Sequence, residues 1–164
     1  MITVRRIQDG EIDLYKRIRL ASLHDAPYAF KTSHDSAVQR SDEIWRERAE
    51  SGVKGTDGAT FFAFSDELPI GIAALFRIKG QTDIGELMRV WVRPDYRGTN
   101  VAWDLMDAIF RWAEENNFRR IIAGVTNVNA RALKFYTKYG FFIMDESAQH
   151  DSDSVYLVKE VESG

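Results

Sequence analysis

The sequence contains no cysteine among its 164 residues. Without thiols the chain cannot form disulfides, thiolate zinc sites or iron–sulfur clusters, and it cannot use a cysteine nucleophile. Proline is scarce, with 3 residues, and glycine numbers 11, while apolar residues make up 45% of the chain and charged residues 29%. This composition excludes the disordered and collagen-like classes and is typical of a soluble globular protein.

The chain also has no excess of positive charge, since it contains 22 Lys and Arg and 25 Asp and Glu, for a net charge of −3. No strong positive field would attract a nucleic acid or an anionic membrane, so neither partner is expected. The longest mainly apolar run, Leu68 to Phe76, is about half of a membrane span. The N-terminal residues lack the continuous apolar stretch of a secretion signal. We therefore expect a cytoplasmic protein.

The order of the predicted elements indicates one α/β (α+β) domain over residues 1–164. A chain of this length can bury a hydrophobic core, and no linker, internal repeat or low-complexity segment divides it. Apolar spacing predicts helices that begin near residues 12, 41, 101 and 130, of which the helix at 101–118 has the clearest pattern. Alternating or β-branched runs predict strands at 2–7, 60–64, 70–78, 84–92, 120–125, 141–144 and 155–161.

The junction between the strand at 84–92 and the helix at 101 carries the clearest chemical signal. The strand ends at Pro94, and a turn that includes Gly98 leads directly into the helix. Free N–H groups and the positive end of the helix dipole favour an anion here, and glycine lets it approach the backbone. A pyrophosphate would suit this turn, with an ordinary strand-to-helix loop as the alternative. A nucleotide triphosphatase is disfavoured, because no Gly-Lys-Ser or Gly-Lys-Thr follows.

This turn resembles the signature of the GNAT-type N-acetyltransferases, which is Arg or Gln, two residues, Gly, one residue, then Gly or Ala. The matching segment reads Arg97-Gly98-Thr99-Asn100-Val101-Ala102. The similarity extends over nearly the whole chain, through residues 19–21, 25–30, 86–94 and 129–141. It implies a mixed, mostly antiparallel central sheet of six to seven strands flanked by about four helices.

The resemblance also implies that acetyl-CoA is the cosubstrate. Its pyrophosphate would be held by the turn and the helix start, which are Arg97, Gly98, Thr99, Asn100, Val101 and Ala102. The backbone groups of Val90 and Val92 would pair with its pantetheine arm in the manner of an added strand. Asn100 departs from the family, which usually has glycine there. If the position needs a positive φ, asparagine is the residue with a side chain that tolerates it best, and weaker cofactor binding would be the consequence to check.

Three residues of the predicted helix 130–139 and its cap are expected to face one groove. Asn129, Ala132 and Tyr136 are spaced three and four apart, so they share one face if Asn129 caps the helix. The resemblance implies that Asn129 and Ala132 line the cofactor arm and that Tyr136 lies near its sulfur. A phenol, with an ordinary pKa of about 10, can donate a proton to the leaving thiolate there. Without the resemblance, a packed aromatic would be the preferred interpretation of Tyr136.

An amine acceptor is protonated at neutral pH, so the reaction needs a group that takes up a proton. The resemblance implies that Glu86 is this base, because many relatives have a glutamate at its position. A solvated charge at the end of a strand is the alternative. The three histidines, His24, His34 and His150, lack the spacing of a helical metal site, so no metal is expected.

The segment 145–154 contains acidic residues and no Lys or Arg. A cationic acceptor could be drawn to it, but a solvated hairpin loop is the preferred interpretation. The acidic residues of this segment are Asp145, Glu146, Asp151 and Asp153.

These observations favour an acetyl-CoA-dependent N-acetyltransferase in which a primary amine attacks directly, with no covalent enzyme intermediate. A non-catalytic acyl-CoA-binding or sensor module of the same fold is the first alternative, supported by Asn100. A structural or interaction domain, with some of its 4 Trp and 10 Phe residues as exposed anchors, is the second. The acceptor stays open between a small amine, an amino acid, an antibiotic and a protein amine. The oligomeric state, a homodimer included, stays open as well.

Overall fold

The structure, a computed structural model, describes residues 1–145 and 153–162 of the chain. The strands in these residues are β1 (Ile2–Arg6), β2 (Gly58–Ser65), β3 (Leu68–Arg77), β4 (Ile84–Val92), β5 (Arg120–Thr126), β6 (Phe142–Ile143) and β7 (Ser154–Glu160). The α-helices are α1 (Ile12–Asp25), α2 (His34–Val38), α3 (Asp42–Glu50), α4 (Val101–Glu115) and α5 (Ala130–Tyr139). The α/β fold class expected from the sequence is confirmed.

The strands form one sheet in the order β1-β2-β3-β4-β5-β7-β6. Within the described sheet, every neighbouring pair is antiparallel except β4 and β5, which are parallel. Parallel neighbours need a crossover connection, and α4 provides it between these two strands. The mixed, mostly antiparallel sheet that the resemblance implies is therefore confirmed.

Hydrophobic cores lie on both faces of the sheet. One core contains buried residues of α4 and α5 that pack on the sheet, among them Leu105, Met106, Ile109 and Tyr136. The other contains buried residues of α1, α2 and α3, among them Tyr15, Ile18, Ala37 and Trp45. The central strands β2 and β3 lie between the two cores, so both of their faces are buried along most of their length. The apolar run from Leu68 to Phe76 is thus the sequence signature of a doubly covered strand.

The predicted helix at 101–118 is three residues shorter in the structure, where α4 ends at Glu115. Asn117 has a φ of 65°, and the N–H of Phe118 donates back to the carbonyl of Ala113 at 3.0 Å. A left-handed residue followed by such a bond is a common helix-terminating arrangement. The chain thus returns to the core directly after the helix, which explains why residue 118 is apolar.

The sequence pattern does not predict α2, which has 5 residues. Its start is fixed by a cap, since the Ser33 hydroxyl accepts a hydrogen bond from the N–H of Ser36 at 3.1 Å. A helix this short has too few residues to display a 3.6-residue apolar period. Its detection from the sequence would have to rely on the cap alone.

Candidate active site

The parallel strands β4 and β5 separate halfway along their length. They pair where Ile84–Leu87 faces Arg120–Ala123, and β4 then continues to Val92 without β5 as a paired neighbour. A β-bulge lies at this point, because Ala73 of β3 faces both Arg89 and Val90 of β4. Arg89 has a φ of 58°. Such a bulge bends a strand, and the bend leaves a gap between β4 and β5.

Two cavities open into this gap. The first has a volume of about 390 Å³ and follows β4 beyond the bulge to the turn before α4. The second has a volume of about 230 Å³ and lies beside Glu86 and Tyr156. Two molecules that enter from the two cavities could meet where the cavities adjoin, and we call this place the junction. It is formed by the residues that line both cavities, which are Ala29, Phe30, Val90, Asn129, Ala132 and Tyr136.

The end of β4 presents backbone groups to the first cavity. The N–H of Arg93 donates to the carbonyl of Ile70 on β3 at 2.8 Å. Backbone groups of successive residues point to opposite sides of a strand, so those of Val92 point away from β3 and into the gap. The side chain of Arg97 reaches the Val92 carbonyl from that side, with Nε donating at 3.1 Å. Val90 and Val92 both line the first cavity, where the resemblance locates the cofactor arm.

The turn before α4 needs one left-handed residue, and that residue is Gly98. Gly98 has a φ of 82°, and a Cβ added to it would meet nothing within 4 Å. Asn100 has a φ of −84°. The position therefore does not need the positive φ that would favour glycine, and asparagine carries no backbone penalty there. The turn residues Arg97, Gly98, Thr99, Asn100 and Ala102 line the first cavity, whereas Val101 is buried beneath them.

The first turn of α4 offers backbone donors to this cavity. The N–H of Asp104 makes the first helical bond, to the carbonyl of Asn100 at 2.8 Å. The N–H groups of Ala102 and Trp103 precede that bond, and helix geometry gives them no intrahelical acceptor. Together with the positive end of the helix dipole, they suit an anion.

The side chain of Arg97 is bonded inside the protein. Its Nη2 donates to Asp25 Oδ2 at the end of α1, and the Trp91 indole donates to the same oxygen at 2.9 Å. The helix dipole disfavours a carboxylate at the C-terminal end of a helix. The two hydrogen bonds offset this effect and explain why an aspartate is found there. Partial burial tends to raise the pKa of Asp25, but the hydrogen bonds from Trp91 and Arg97 hold it below its ordinary value. Arg97 therefore fixes the turn against α1.

Asp25→Asn is expected to lower the free energy of unfolding at pH 7 by about 1–2 kcal/mol, because a neutral amide replaces the shared anion. The folded-state pKa of Asp25 is lowered, so its contribution is fully present above the ordinary carboxyl pKa, near 4. The contribution is lost as the pH falls through the lower, folded-state pKa. Urea unfolding at pH 7 and pH 3 should show the difference from the parent shrinking at pH 3.

A suitable control is Asp9→Asn, since Asp9 is exposed in the turn before α1. This control should change the unfolding free energy little at either pH. A parent-to-variant difference for Asp25→Asn that is the same at pH 7 and pH 3 would contradict the assigned ion pair.

α5 brings three of the predicted site residues to the junction. Asn129 caps the helix as predicted, with Oδ1 accepting a hydrogen bond from the N–H of Ala132 at 3.2 Å. Tyr136 is 6% exposed, and its ring packs edge-on against Phe135 and Phe141. Burial raises the pKa of the Tyr136 hydroxyl. The hydroxyl therefore keeps its proton throughout the neutral range and is available as a hydrogen-bond donor.

Glu86 lies on the face of the sheet that α1, α2 and α3 cover. Its neighbour Leu87 packs into the core beneath α4, so Glu86 points to the opposite face. The residue is half-buried and lines the second cavity together with Tyr136. Within the sheet it pairs with Phe76 of β3. A solvated charge at a strand end, the alternative considered from the sequence, does not describe this environment.

Phe30 and Arg89 are site residues that the sequence does not single out. Phe30 lines the junction and belongs to the segment 25–30, so the family resemblance is the signal that could have identified it. Arg89 lines the second cavity. Its position depends on the β-bulge, for which the sequence holds no local signal, because arginine is not a typical left-handed residue.

The histidines and the acidic segment add no site in the described part of the chain. The rings of His24 and His34 pack edge to face, with centroids 5.5 Å apart. Three candidates, Glu146, His150 and Asp151, lie outside the described residues. Among the residues that are described, no group of three or more His, Cys, Asp or Glu could hold a metal ion. No helix in the same part of the chain has the length and apolar character needed to cross a membrane.

The chain is similar to known proteins in sequence and in fold. A model of the acetyltransferase (GNAT) family matches residues 19–141. A protein of Mycobacterium tuberculosis (strain ATCC 25618 / H37Rv), named as an uncharacterized N-acetyltransferase, is 34% identical over 97 residues. This match covers 56% of the present chain and 60% of that relative, so the chain spans less than two thirds of the mycobacterial proteins it resembles.

Two solved structures share the fold. The acetyltransferase of the GNAT family from Streptococcus pneumoniae has a TM-score of 0.80 at 18% identity, covering 99% of this chain and 100% of that one. The PaiA N-acetyltransferase from Thermoplasma acidophilum, in complex with coenzyme A, has a TM-score of 0.76 at 20% identity, covering 98% and 99%.

Proposed function

Because the chain belongs to the GNAT acetyltransferase family, we propose that it transfers the acetyl group of acetyl-CoA to a primary amine. The amine attacks the thioester carbonyl directly, without a covalent enzyme intermediate. The observation that carries this proposal is the junction, where the cavity of about 390 Å³ and the cavity of about 230 Å³ share Tyr136 in their linings. Acetyl-CoA enters along the first cavity, and the amine enters through the second.

The residues of the first cavity fit acetyl-CoA. The backbone edge of β4 from Val90 to Val92 can pair with the amide groups of pantetheine, as an added strand does. The turn at Gly98 and the first N–H groups of α4 suit the pyrophosphate. The related protein of T. acidophilum forms a complex with coenzyme A, which supports the same cosubstrate for this chain.

Tyr136 is the proposed donor to the leaving sulfur. An ordinary thiol has a pKa near 8.5, and burial raises the pKa of the Tyr136 phenol above its own ordinary value. The phenol is thus a weaker acid than the thiol. Its contribution is a hydrogen bond that stabilises the negative charge developing on sulfur. The phenol stays protonated throughout, and CoA leaves as a thiolate that takes up its proton from solvent.

Glu86 is the proposed base. The attacking nitrogen must lose a proton before or during attack, and a carboxylate can accept it directly or through one water. Glu86 lines the cavity that we assign to the amine and faces the same space as Tyr136. The hydrogen-bond donor to sulfur and the proton acceptor for the amine therefore approach the junction from different elements, α5 and β4.

The test is an assay of CoA release with a panel of amines, combined with mass spectrometry for co-purified CoA. Amine-dependent release supports the proposal. Binding of acetyl-CoA without turnover would favour the acyl-CoA-binding module, and absence of binding would favour an interaction domain. The module has lost its main support, because the φ of −84° at Asn100 gives no backbone reason for weaker binding.

Glu86→Gln is expected to slow acetyl transfer at neutral pH and to recover partly in alkaline solution. The amide keeps the shape of the side chain but cannot accept the proton, and alkaline solution supplies the unprotonated amine instead. Profiles of kcat/KM against pH for the parent and the variant measure this recovery. Glu67→Gln, in the exposed turn between β2 and β3, is the control and should keep the parental profile. An unaltered profile in Glu86→Gln would mean that another group is the base.

A further inference from the structure

Arg89 carries a positive charge that no carboxylate in the described part of the chain neutralises. Its side chain lines the second cavity, and its guanidinium carbon lies 5.4 Å from the centroid of the Phe76 ring. Its Nη1 is buried and has no hydrogen-bond partner among the described residues. Buried charged donors are rarely left unpaired in proteins. The guanidinium of Arg89 therefore retains hydrogen-bonding capacity that no group of the described residues uses.

Other arginines on the same face add to this charge, and they are Arg19, Arg40 and Arg48. Arg19 is 5% exposed, and its guanidinium lies 4.9 Å from the ring centroid of Phe30 at the junction. Burial lowers the pKa of Arg19 to about 10, and the charge of Arg89 acts in the same direction. Within the described residues, none of these arginines forms an ion pair with a carboxylate. Four arginines therefore lie near one another on the side of the sheet that α1, α2 and α3 cover.

Glu86 and Arg89 bring opposite charges to one small cavity without pairing with each other. Phe76, which the Arg89 guanidinium covers, is the cross-strand neighbour of Glu86. Cross-strand neighbours have their Cβ atoms about 5 Å apart, so Glu86 and the guanidinium of Arg89 both lie beside Phe76. Within the described residues no ion pair joins the two side chains. A carboxylate and a guanidinium held apart in this way match a molecule that carries both an ammonium and an anion.

We infer that the acceptor is a small primary amine that also bears a carboxylate or a phosphate, and that Arg89 binds this anion in the second cavity. The inference rests on the proposed function and names its substrate class, of which an amino acid is the simplest member. The amine of such an acceptor lies toward Glu86 while its anion lies toward Arg89. The arginines also disfavour polyamines, because they would repel the additional ammonium groups.

The test compares kcat/KM, calculated on the concentration of unprotonated amine, for pairs of amines of which one member carries the anion and the other does not. One arm uses L-amino acids against their amides, and the other uses 2-aminoethyl phosphate against 2-aminoethanol. The parent should prefer the anionic member of the favoured arm by about tenfold or more, because charge-assisted hydrogen bonds are worth that much. In Arg89→Gln the ratio of kcat/KM for the anionic over the neutral member should fall toward one, and Arg89→Lys should retain part of the preference. Arg17→Gln, at an exposed position of α1, should behave as the parent.

A second measurement does not need turnover. N-acetylglycine should raise the Tm of the parent and leave that of Arg89→Gln unchanged, and N-acetylglycinamide should raise neither. Equal turnover of neutral and anionic amines without a Tm response would overturn the inference and leave the proposed function standing. No transfer to any amine, with an anion-dependent rise in Tm, would overturn the proposed function and keep the anion site. Failure of both measurements would overturn both.

Discussion

Replacement of Gly98 by valine is expected to lower the affinity for acetyl-CoA about 100-fold in a protein that stays folded. Gly98 has a φ of 82°, a conformation in which a β-branched residue is strained. Valine also fills the open space from which a pyrophosphate would approach the backbone. The loss of two charge-assisted hydrogen bonds, at about 1.5 kcal/mol each, corresponds to this decrease. Calorimetric titration with acetyl-CoA measures it.

Gly80→Val is the matched control. Gly80 lies in the turn between β3 and β4, has a φ of 85°, and likewise has nothing within 4 Å of an added Cβ. Both variants therefore carry the same backbone strain, but only Gly98 lines the first cavity. Gly98→Asn separates the two effects, because asparagine tolerates a left-handed φ while still adding a side chain. Unchanged affinity in folded Gly98→Val would remove the turn from the cofactor site.

Tyr136→Phe is expected to lower kcat about 100-fold and to keep the affinity for acetyl-CoA, in line with the usual contribution of one hydrogen-bond donor to a developing negative charge. Phenylalanine preserves the edge-on contacts of the ring with Phe135 and Phe141. The variant therefore loses the hydroxyl and little else. Steady-state turnover, together with calorimetric binding of acetyl-CoA, separates the effect on the chemical step from an effect on binding.

Tyr139→Phe provides the comparison on the same helix. The Tyr139 hydroxyl donates to Asp107 at 2.7 Å, and Tyr139 lines neither of the two cavities. Its loss should leave turnover at the parental level. If Tyr136→Phe also stays within about a factor of two of the parent while chemistry limits the rate, Tyr136 is a packing residue.

The elements that the sequence predicts well are those whose burial is periodic. α4 has its buried residues at helical spacing, and β3 is apolar throughout because both of its faces are covered. The bulge at Arg89 and Val90 is not predictable in this way, since it depends on how β4 meets β3. The splitting of β4 from β5, and hence the existence of the junction, follows from that tertiary arrangement.

The site residues also differ in whether a local sequence pattern can predict them. The family resemblance and helical spacing locate Asn129, Ala132 and Tyr136 together, because they belong to one short segment. The partner of Arg97 is Asp25, which is 72 residues away in the sequence. No periodic or local pattern connects two such residues, so the bond is found only when the chain is folded. The sequence does not reveal the unpaired guanidinium of Arg89 for the same reason.

The bond between Asp25 and Arg97 sets a limit on recombining this chain with other members of its family. Asp25 belongs to α1, whereas Trp91 belongs to β4 and Arg97 to the turn before α4. A chimera that takes its first helices from a protein with a neutral residue at this place would leave an arginine and an indole without their shared acceptor. Asp25 and Arg97 must therefore be inherited together in any chimera, because the carboxylate on α1 holds the turn before α4 in place.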